Sequence, residues 1–375
     1  MLALFGAGHV AERILKNGIR PDLILDNNPE LNGQNFANVK ICSPSEHNLK
    51  LINRIIICTT SFLEVENQIL ALGYSGIIEL AKPLEEQRII KQLHEFKFNG
   101  FISSGLPSIN EGAGGGIYRV LETDDSYEVS KIFSGNTHGL IKYEQQLAFT
   151  CQGIGIVFID THGQETHHIK LPEKLRPHGL FISNESIFVA CSLADCVLQL
   201  NFDGKIIEKF KLSNKYDMSG SPQHHCNDIQ IANNCIYVSM FSISGNWKKG
   251  VFDGGILEID LETKEKRILC SNLRMPHSVT IHDGRLHVLN SYDGELLGYN
   301  FEPIGSLSGF ARGLQLKNNF AIIGESRNRN FSLLSGKRTF ASLDSRITIA
   351  DTQSKVSRSI TLKDGISEIH GIVAV

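Results

Sequence analysis

The chain has 375 residues, 41% hydrophobic and 21% charged, which is typical of a globular protein with room for two domains. Its formal net charge of -3 excludes the global basic field that would attract nucleic acid or an anionic membrane. No apolar run reaches the roughly 20 residues that span a bilayer, and the first residues read as a buried strand rather than a signal peptide. With eight scattered cysteines and no CxxC pair, we expect reduced thiols and a cytoplasmic location.

Residues 1–83 alternate short apolar strands with amphipathic helices, which predicts a small Rossmann-like α/β domain. The first turn matches GxGxxA between a strand and a helix, and an acid ends the second strand, so Gly6, Gly8, Ala11 and Asp26 are the predicted nucleotide-binding residues. The alternative is that the tight turn needs its glycines whether or not anything binds. The segment also resembles small modules of bacterial sugar-modifying enzymes, through the phrases Asp26-Asn27-Asn28-Pro29 and Cys58-Thr59-Thr60-Ser61. That resemblance implies a nucleotide, a nucleotide sugar or an empty turn.

Two segments separate this domain from the rest of the chain. Residues 84–99 have a charged, helix-period pattern and predict a connector helix. The glycine-rich segment 105–116 lacks the lysine and the following helix of a phosphate-binding loop. We interpret it as a flexible loop.

A short phrase then recurs six times: a polar residue, a small residue and a branched apolar residue. In the first five copies the residue eleven places after the polar one is apolar and lies in a strand-like run. Repeats of roughly 40 to 50 residues with four short strands each are typical of a β-propeller. The copies begin at His138, His178, Asn227, His277, Arg312 and His370.

The sixth copy ends after one strand, and the missing strands can be supplied from upstream. Gly100 to Ser104, Gly116 to Leu121 and Tyr127 to Phe133 match second, third and fourth strands. The prediction is therefore a mainly β fold, in which residues 100–375 form a six-bladed β-propeller closed by N- and C-terminal strands in one blade. Such closure removes the open edge at which other chains could pair.

The polar residues of the six copies should form a ring around the propeller axis, here called the axial ring. Four are histidines, which predicts metal ligation by His138, His178, His277 and His370, with Fe, Zn or Mn as the expected divalent ion. Arg312 is suited to hold a substrate oxyanion, and Asn227 to ligate weakly or to bind substrate. His224 and His225 are reserve ligands.

Residues thirteen places after the axial ring are expected to reinforce the site. Glu325 is predicted to act as a general base or to orient an imidazole, and Asn290 to orient another. Cys151 and Cys191 are best interpreted as buried thiols. Two loops are unusually long. Residues 242–253, which contain the single tryptophan, suggest a lid. Residues 326–345 suggest a basic patch, formed by Arg327, Arg329, Lys337 and Arg338.

Over about residues 100 to 375 the chain resembles an uncharacterised bacterial propeller family, a domain of unknown function, through His224-His225-Cys226-Asn227-Asp228, Met275-Pro276-His277-Ser278 and Gly309-Phe310-Ala311-Arg312-Gly313-Leu314. More distantly its architecture is similar to the gluconolactonase and senescence-marker propellers. Those enzymes hold a divalent metal with Glu, Asp and Asn, where this chain has histidines. Its four axial histidines are similar to the iron site of the seven-bladed carotenoid-cleaving propellers, an analogy of fold alone.

The leading hypothesis is a metal-dependent enzyme acting on a small anionic or sugar-derived substrate at the propeller axis. Hydrolysis, isomerisation or lyase chemistry and iron-dependent oxidation all remain open. The alternative is a non-enzymatic module of carbohydrate metabolism that binds a ligand or a nucleotide sugar. The expected partner in both cases is a small molecule, with no nucleic acid and no membrane.

Overall fold

The computed structural model describes residues 1–106, 114–183, 185–328, 341–363 and 365–375. They form two compact units, Met1–Glu95 and Phe96–Val375. Most of the predicted glycine-rich loop lies outside the described residues, as do Arg329, Lys337 and Arg338 of the predicted basic patch. No helix in the described ranges is long and apolar enough to cross a membrane.

The first unit is built on a six-stranded sheet in the order β3-β4-β2-β1-β5-β6. All neighbouring strands are parallel except β3 and β4, which are antiparallel. The strands are β1 Leu2–Phe5, β2 Leu23–Leu25, β3 Asn35–Phe36, β4 Val39–Cys42, β5 Arg54–Ile57 and β6 Ile77–Leu80.

Four helices accompany this sheet: α1 His9–Lys16, α2 Glu46–Leu49, α3 Phe62–Ala71 and α4 Lys82–Glu95. The apolar side chains of α1 recur at helical spacing, so one face of this helix packs on the sheet. The predicted connector corresponds to α4, whose Leu84 is buried against Ile56 and Cys58 of the same unit. This helix therefore contributes to the core of the first unit.

The second unit consists of six four-stranded antiparallel sheets, which confirms the prediction of a mainly β, six-bladed propeller. Blade 1 comprises β10 Thr137–Tyr143, β11 Gln146–Cys151, β12 Gly155–Ile159 and β13 Glu165–Lys170. Blade 2 comprises β14 Pro177–Ile182, β15 Ile187–Cys191, β16 Cys196–Leu200 and β17 Ile206–Lys211. Blade 3 comprises β18 Cys226–Ala232, β19 Cys235–Met240, β20 Gly254–Asp260 and β21 Lys266–Leu273. A short helix, α5 Lys215–Ser219, precedes blade 3.

Blades 4 to 6 follow the same plan. Blade 4 comprises β22 Pro276–His282, β23 Arg285–Asn290, β24 Glu295–Leu297 and β25 Pro303–Ser306. Blade 5 comprises β26 Phe310–Lys317, β27 Phe320–Ser326, β28 Arg346–Asp351 and β29 Val356–Thr361. Blade 6 comprises β30 Gly371–Ala374, β7 Asn99–Ser104, β8 Gly116–Glu122 and β9 Tyr127–Phe133. In blade 6, β30 pairs antiparallel with β7. A Cβ atom on Gly100 would lie 2.2 Å from the carbonyl oxygen of Val373, so this pairing requires glycine.

The small residue of the repeated phrase lies where neighbouring inner strands meet most closely. In blades 1 to 5 the register of the innermost strand shifts at this position, which is the signature of a β-bulge. A Cβ atom on Gly139 would lie 2.2 Å from the carbonyl oxygen of His178, and one on Gly179 would lie 2.5 Å from Cα of Asp228. The inner strands of neighbouring blades therefore approach each other closely beside the axial ring.

Candidate functional site

A cavity of about 360 Å³ lies where the innermost strands of the six blades meet. The structure brings all six residues of the axial ring together here, because each of them lines this cavity. Each comes from the innermost strand of its blade or immediately precedes it, so the repeat places the six side chains around one axis. The members are His138, His178, Asn227, His277, Arg312 and His370.

A second ring, which we did not predict, lines the same cavity. Its members precede the axial residues by two positions: Asn136, Arg176, His225, Met275, Phe310 and Glu368. They stand at the same offset from the axial residue in all six copies, so the six-fold repeat could have identified them. Only His225 was anticipated, as a reserve ligand.

Ring and cation contacts form a closed circuit around the cavity. Centroid distances are 4.0 Å from His370 to His138, 4.4 Å from His138 to His178 and 5.7 Å from His178 to His225. The circuit continues through Phe241, His277 and Phe310, with centroid distances of 4.5 to 5.5 Å. Arg312 completes it, stacked 4.6 Å from the Phe310 ring and with Nη1 3.2 Å from Nε2 of His370. These contacts hold the cavity walls in one arrangement.

Four histidines of the cavity, His138, His178, His225 and His277, are neutral at physiological pH. Burial lowers the pKa of His138, His178 and His277 well below the ordinary value, and the neighbouring imidazoles and the Arg312 guanidinium lower it further. Burial and the nearby guanidiniums lower the pKa of His225 to about 3. Neutral imidazoles can both donate and accept hydrogen bonds, so they suit polar ligand groups.

The two guanidiniums of the cavity are in different situations. Arg176 has no carboxylate partner within the described residues, and its Nε has no hydrogen-bond partner there. Arg312 lies 4.0 Å from the buried carboxylate of Glu368, which also accepts a hydrogen bond from Nε2 of His370 at 2.9 Å. The Arg312 charge is therefore opposed by a fixed carboxylate, whereas the Arg176 charge is not.

Several other buried polar atoms also have no partner in the part of the chain that the structure describes. They are Oδ1 of Asn227, Nε2 of His178 and Nδ1 of His225. A buried polar atom without a hydrogen bond costs about 1–3 kcal/mol. Their concentration at one cavity offers hydrogen-bonding groups to a polar ligand.

The four predicted metal ligands face the cavity, but Nε2 of His138 and Nε2 of His370 are engaged with protein groups. The rings of His138 and His178 are stacked at 19°, and Nε2 of His138 accepts a hydrogen bond from Gln152 at 3.0 Å. Nδ1 of His277 lies 2.9 Å from the carbonyl oxygen of Met275, which leaves Nε2 as its unprotonated nitrogen. Across the described ranges, no three His, Cys, Asp or Glu side chains are grouped as ligands of one metal ion. The residues do not fit a metal in this arrangement, and metal binding stays a prediction.

The other reserve ligand, His224, points away from the cavity. Its Nδ1 donates to the carbonyl oxygen of Ser242 at 2.8 Å, and its Nε2 lies 2.6 Å from Oγ of Ser213. The predicted lid, residues 242–253, is anchored beside the site, because the ring of Trp247 lies 4.3 Å from that of His225. Whether it closes over a ligand stays a prediction.

Glu325, the predicted general base, is not brought to the cavity. It pairs in register with Ala311, which immediately precedes the axial Arg312 and so faces away from the axis. Its carboxylate accepts hydrogen bonds from the Gly309 N–H and the Thr348 hydroxyl. These contacts indicate that it supports the turn before β26.

Asn290 and Asp195 hold the corresponding turns in other blades. Asn290 accepts the Arg274 N–H at 2.7 Å. Asp195 accepts three successive backbone N–H groups, those of Gln223, His224 and His225. Asp195 therefore fixes the backbone that carries His225 into the cavity, a role that we did not predict.

In the first unit, the predicted nucleotide site lies at the turn between β1 and α1. Gly6 has a positive φ of 104°, Gly8 precedes the first residue of α1, and Ala11 is buried against the sheet. The Asp26 carboxylate accepts the Ala7 N–H at 2.7 Å and the Asn28 N–H at 2.8 Å, so both of its oxygens already brace the turn. Nucleotide binding here stays a prediction.

Comparison with protein families establishes the family of this chain, because one family model matches residues 131–375, which is more than half of the chain. The chain belongs to the family DUF4915, a domain of unknown function. No curated protein matches it significantly. The match of this DUF4915 chain begins within β9 and extends through the closing strand β30.

Among solved structures, the nidogen/laminin complex matches with a TM-score of 0.51 at 14% identity, covering 74% of this chain and 97% of the other. Regucalcin, a calcium-binding protein from Agrobacterium tumefaciens strain C58, gives 0.40 at 12% identity over 63% of this chain and 91% of its own. Virginiamycin B lyase from Staphylococcus aureus gives 0.44 at 12% identity over 70% and 85%. Likenesses at this level of identity concern the fold alone and bring no activity to the DUF4915 chain.

Proposed function

We propose that the axial cavity binds a small organic anion and that the guanidinium of Arg176 is its main charged contact. The observation that carries this proposal is that Arg176 lines the axial cavity and forms no ion pair with a carboxylate in the described ranges. Guanidinium groups bind carboxylates and phosphates through paired N–H donors. The unpartnered polar atoms around the cavity support a ligand that also makes hydrogen bonds.

A thermal-shift assay tests this proposal with gluconate, lactate and inorganic phosphate as anions and glucose as an uncharged comparison. A ligand at 100 times its Kd stabilises the folded state by about 2.7 kcal/mol, which raises Tm by several degrees. We expect at least one organic anion to raise Tm in the wild type and in Arg119→Gln, a change of an exposed arginine on β8. Arg176→Gln should abolish that shift. An equal shift in Arg176→Gln, or no shift with any anion, would refute the proposal.

A second candidate is the metal-dependent enzyme, acting on the same anionic substrate. The observation that favours it is His277, whose Nδ1 contact with the Met275 carbonyl leaves Nε2 as a lone pair; such a contact commonly orients metal-binding histidines. When bound, a divalent ion would supply Lewis-acid or redox chemistry. His138 and His370 would first have to leave Gln152 and Glu368.

Elemental analysis of protein purified without an affinity tag tests this second candidate. About one equivalent of Fe, Zn or Mn in the wild type, lost in the double change His178→Ala and His277→Ala, would establish a metal site. If reconstitution with each ion leaves the wild type without metal, this candidate fails while the anion-binding proposal stands.

For the first unit we propose a Rossmann-like module, on the strength of its parallel sheet and the glycine turn before α1. A nucleotide or nucleotide sugar is the ligand proposed there. Equilibrium dialysis with UDP-glucose tests this, and retained binding after Gly8→Asp would contradict it. We also propose a cytoplasmic location, since all eight cysteines are free thiols.

A further inference from the structure

We propose that the ligand of the axial cavity is a small hydroxylated monocarboxylate, a sugar acid in chemical class. Its carboxylate lies at Arg176, and its hydroxyl groups lie at Asn227 and at the wall formed by Arg312 and Glu368. This inference rests on the proposed function and adds to it the number of charges, the need for hydroxyl groups and the direction of the ligand.

Asn227 supplies the argument for hydroxyl groups. Its Nδ2 lies 3.5 Å from the carbonyl oxygens of His225 and Pro276, which fixes the amide with Oδ1 on the other side. Asn227 is 1% exposed, and its Oδ1 has no donor among the described residues. A carboxylate can only accept hydrogen bonds, so it cannot satisfy this oxygen, whereas a hydroxyl group can donate to it.

The wall of Arg312 and Glu368 supplies the argument for a single charge. Blade 5, which carries Arg312, is opposite blade 2, which carries Arg176, because two blades lie between them on either side of a ring of six. Glu368 lies beside Arg312, 4.0 Å from its Nη1. A second ligand carboxylate at this wall would meet that buried carboxylate, and like charges in a site of low polarity repel strongly.

The same wall suits hydroxyl groups well. Guanidinium N–H groups donate to a hydroxyl oxygen, and the Glu368 carboxylate accepts from a hydroxyl hydrogen. Phe241, Met275 and Phe310 line another part of the cavity and offer an apolar surface to the carbon chain. A cavity of about 360 Å³ is at the lower end of the range for small-molecule sites, which suits a ligand of sugar size.

Isothermal titration calorimetry with three six-carbon acids separates these features. Gluconate has one carboxylate and several hydroxyls, glucarate has a second carboxylate, and hexanoate has no hydroxyl. We expect gluconate to bind at least about tenfold more tightly than each of the other two. Hexanoate lacks the hydroxyl groups that the site is built to bond, and the second carboxylate of glucarate meets the charge of Glu368. If glucarate or hexanoate binds the wild type as tightly as gluconate, the inference fails while anion binding stands. If none of the three acids binds and no anion raises Tm in the thermal-shift assay, the proposed function fails with it.

Two variants locate the discrimination. Glu368→Gln should reduce the ratio of the glucarate Kd to the gluconate Kd at least about fivefold, since it removes the opposing charge. Asn227→Leu should reduce the ratio of the hexanoate Kd to the gluconate Kd by a similar factor, since it removes the amide oxygen that accepts a ligand hydroxyl. Glu128→Gln, on the exposed face of β9, is the control and should change neither ratio. Folding of each variant is verified by circular dichroism and by Trp247 fluorescence; ratios unchanged in folded variants would overturn the assignment of these residues.

Discussion

Asp195 allows the sharpest test of how the cavity is held, because one side chain binds three consecutive backbone N–H groups. Asp195 is 1% exposed, and the N–H groups of His224 and His225 lie 3.2 Å from its oxygens. Asp195→Ala would leave three N–H groups without their acceptor, at about 1 kcal/mol or more each, so we expect a loss of about 3 kcal/mol in the free energy of unfolding. With an m-value of about 3 kcal/mol/M in urea, the midpoint should fall by about 1 M.

Urea denaturation followed by the fluorescence of Trp247 measures this loss directly. The chain has one tryptophan, and its backbone N–H donates to the carbonyl oxygen of Gln223 at 2.9 Å, within the segment that Asp195 holds. Asp260→Ala is the matched control, because Asp260 accepts the Glu262 and Thr263 N–H groups in an exposed turn where water can replace it. Midpoints that fall by the same small amount in both variants would refute the role assigned to Asp195.

Two further predictions concern the axis. The neutral histidines of the cavity have lowered pKa values, whereas unfolded histidines take up protons near pH 6.5, so stability should fall as pH falls below 6.5. Four such histidines correspond to a loss of about 5 kcal/mol between pH 6 and pH 5. Asp228, whose pKa burial raises to about 6, offsets about 1 kcal/mol of this loss, and Asp195, whose pKa burial also raises, offsets a further part. A urea midpoint that rises on acidification would contradict this. Separately, Gly179→Ala would place Cβ 2.5 Å from Cα of Asp228 and should lower the free energy of unfolding by about 3 kcal/mol or more. Gly305→Ala is the control, because its Cβ meets no atom within 4 Å. Equal urea midpoints for the two variants would show that the inner strands do not meet as described.

The propeller could be predicted from the sequence because its repeat has no gaps between the polar residue, the small residue and the apolar residue eleven places later. The polar residue must face the axis, the small residue must occupy the bulge where neighbouring strands meet, and the apolar residue eleven places later must pack in the blade. Gly139 and Gly179 show the physical reason, since a side chain at either would collide with the backbone of the next blade. Six copies of such a constraint determine both the number of blades and the axial ring.

Glu325 lies outside the cavity because of one position of strand register. Residues thirteen places after the axial ring pair with the residue just before it, as Cys151 pairs with Thr137 and Glu325 with Ala311, and paired residues share the face that points away from the cavity. Residues fourteen places after it, such as Gln152 and Phe241, line the cavity instead. The pairing depends on the bulge after each axial residue, which is a feature of three-dimensional structure that periodicity alone does not specify.

The second ring escaped prediction for a related reason. Arg176, His225 and Met275 have positive φ values of 47°, 54° and 53°, so they lie in turns that precede the inner strands and carry no strand signal. Glu368 also lies before its strand, β30. Because Arg176 and Glu368 come from these turns, the sequence indicated an axial site for an anion but assigned the anion to Arg312 and not to Arg176.

The central claim, that Arg176 binds the anionic group of a ligand in the axial cavity, is tested most directly by a crystal structure of the protein with gluconate at saturating concentration. The account predicts density for the ligand inside the cavity, with its carboxylate within hydrogen-bond distance of the Arg176 guanidinium and a hydroxyl at Oδ1 of Asn227. An empty cavity at that concentration, or a ligand whose carboxylate lies away from Arg176, would contradict it.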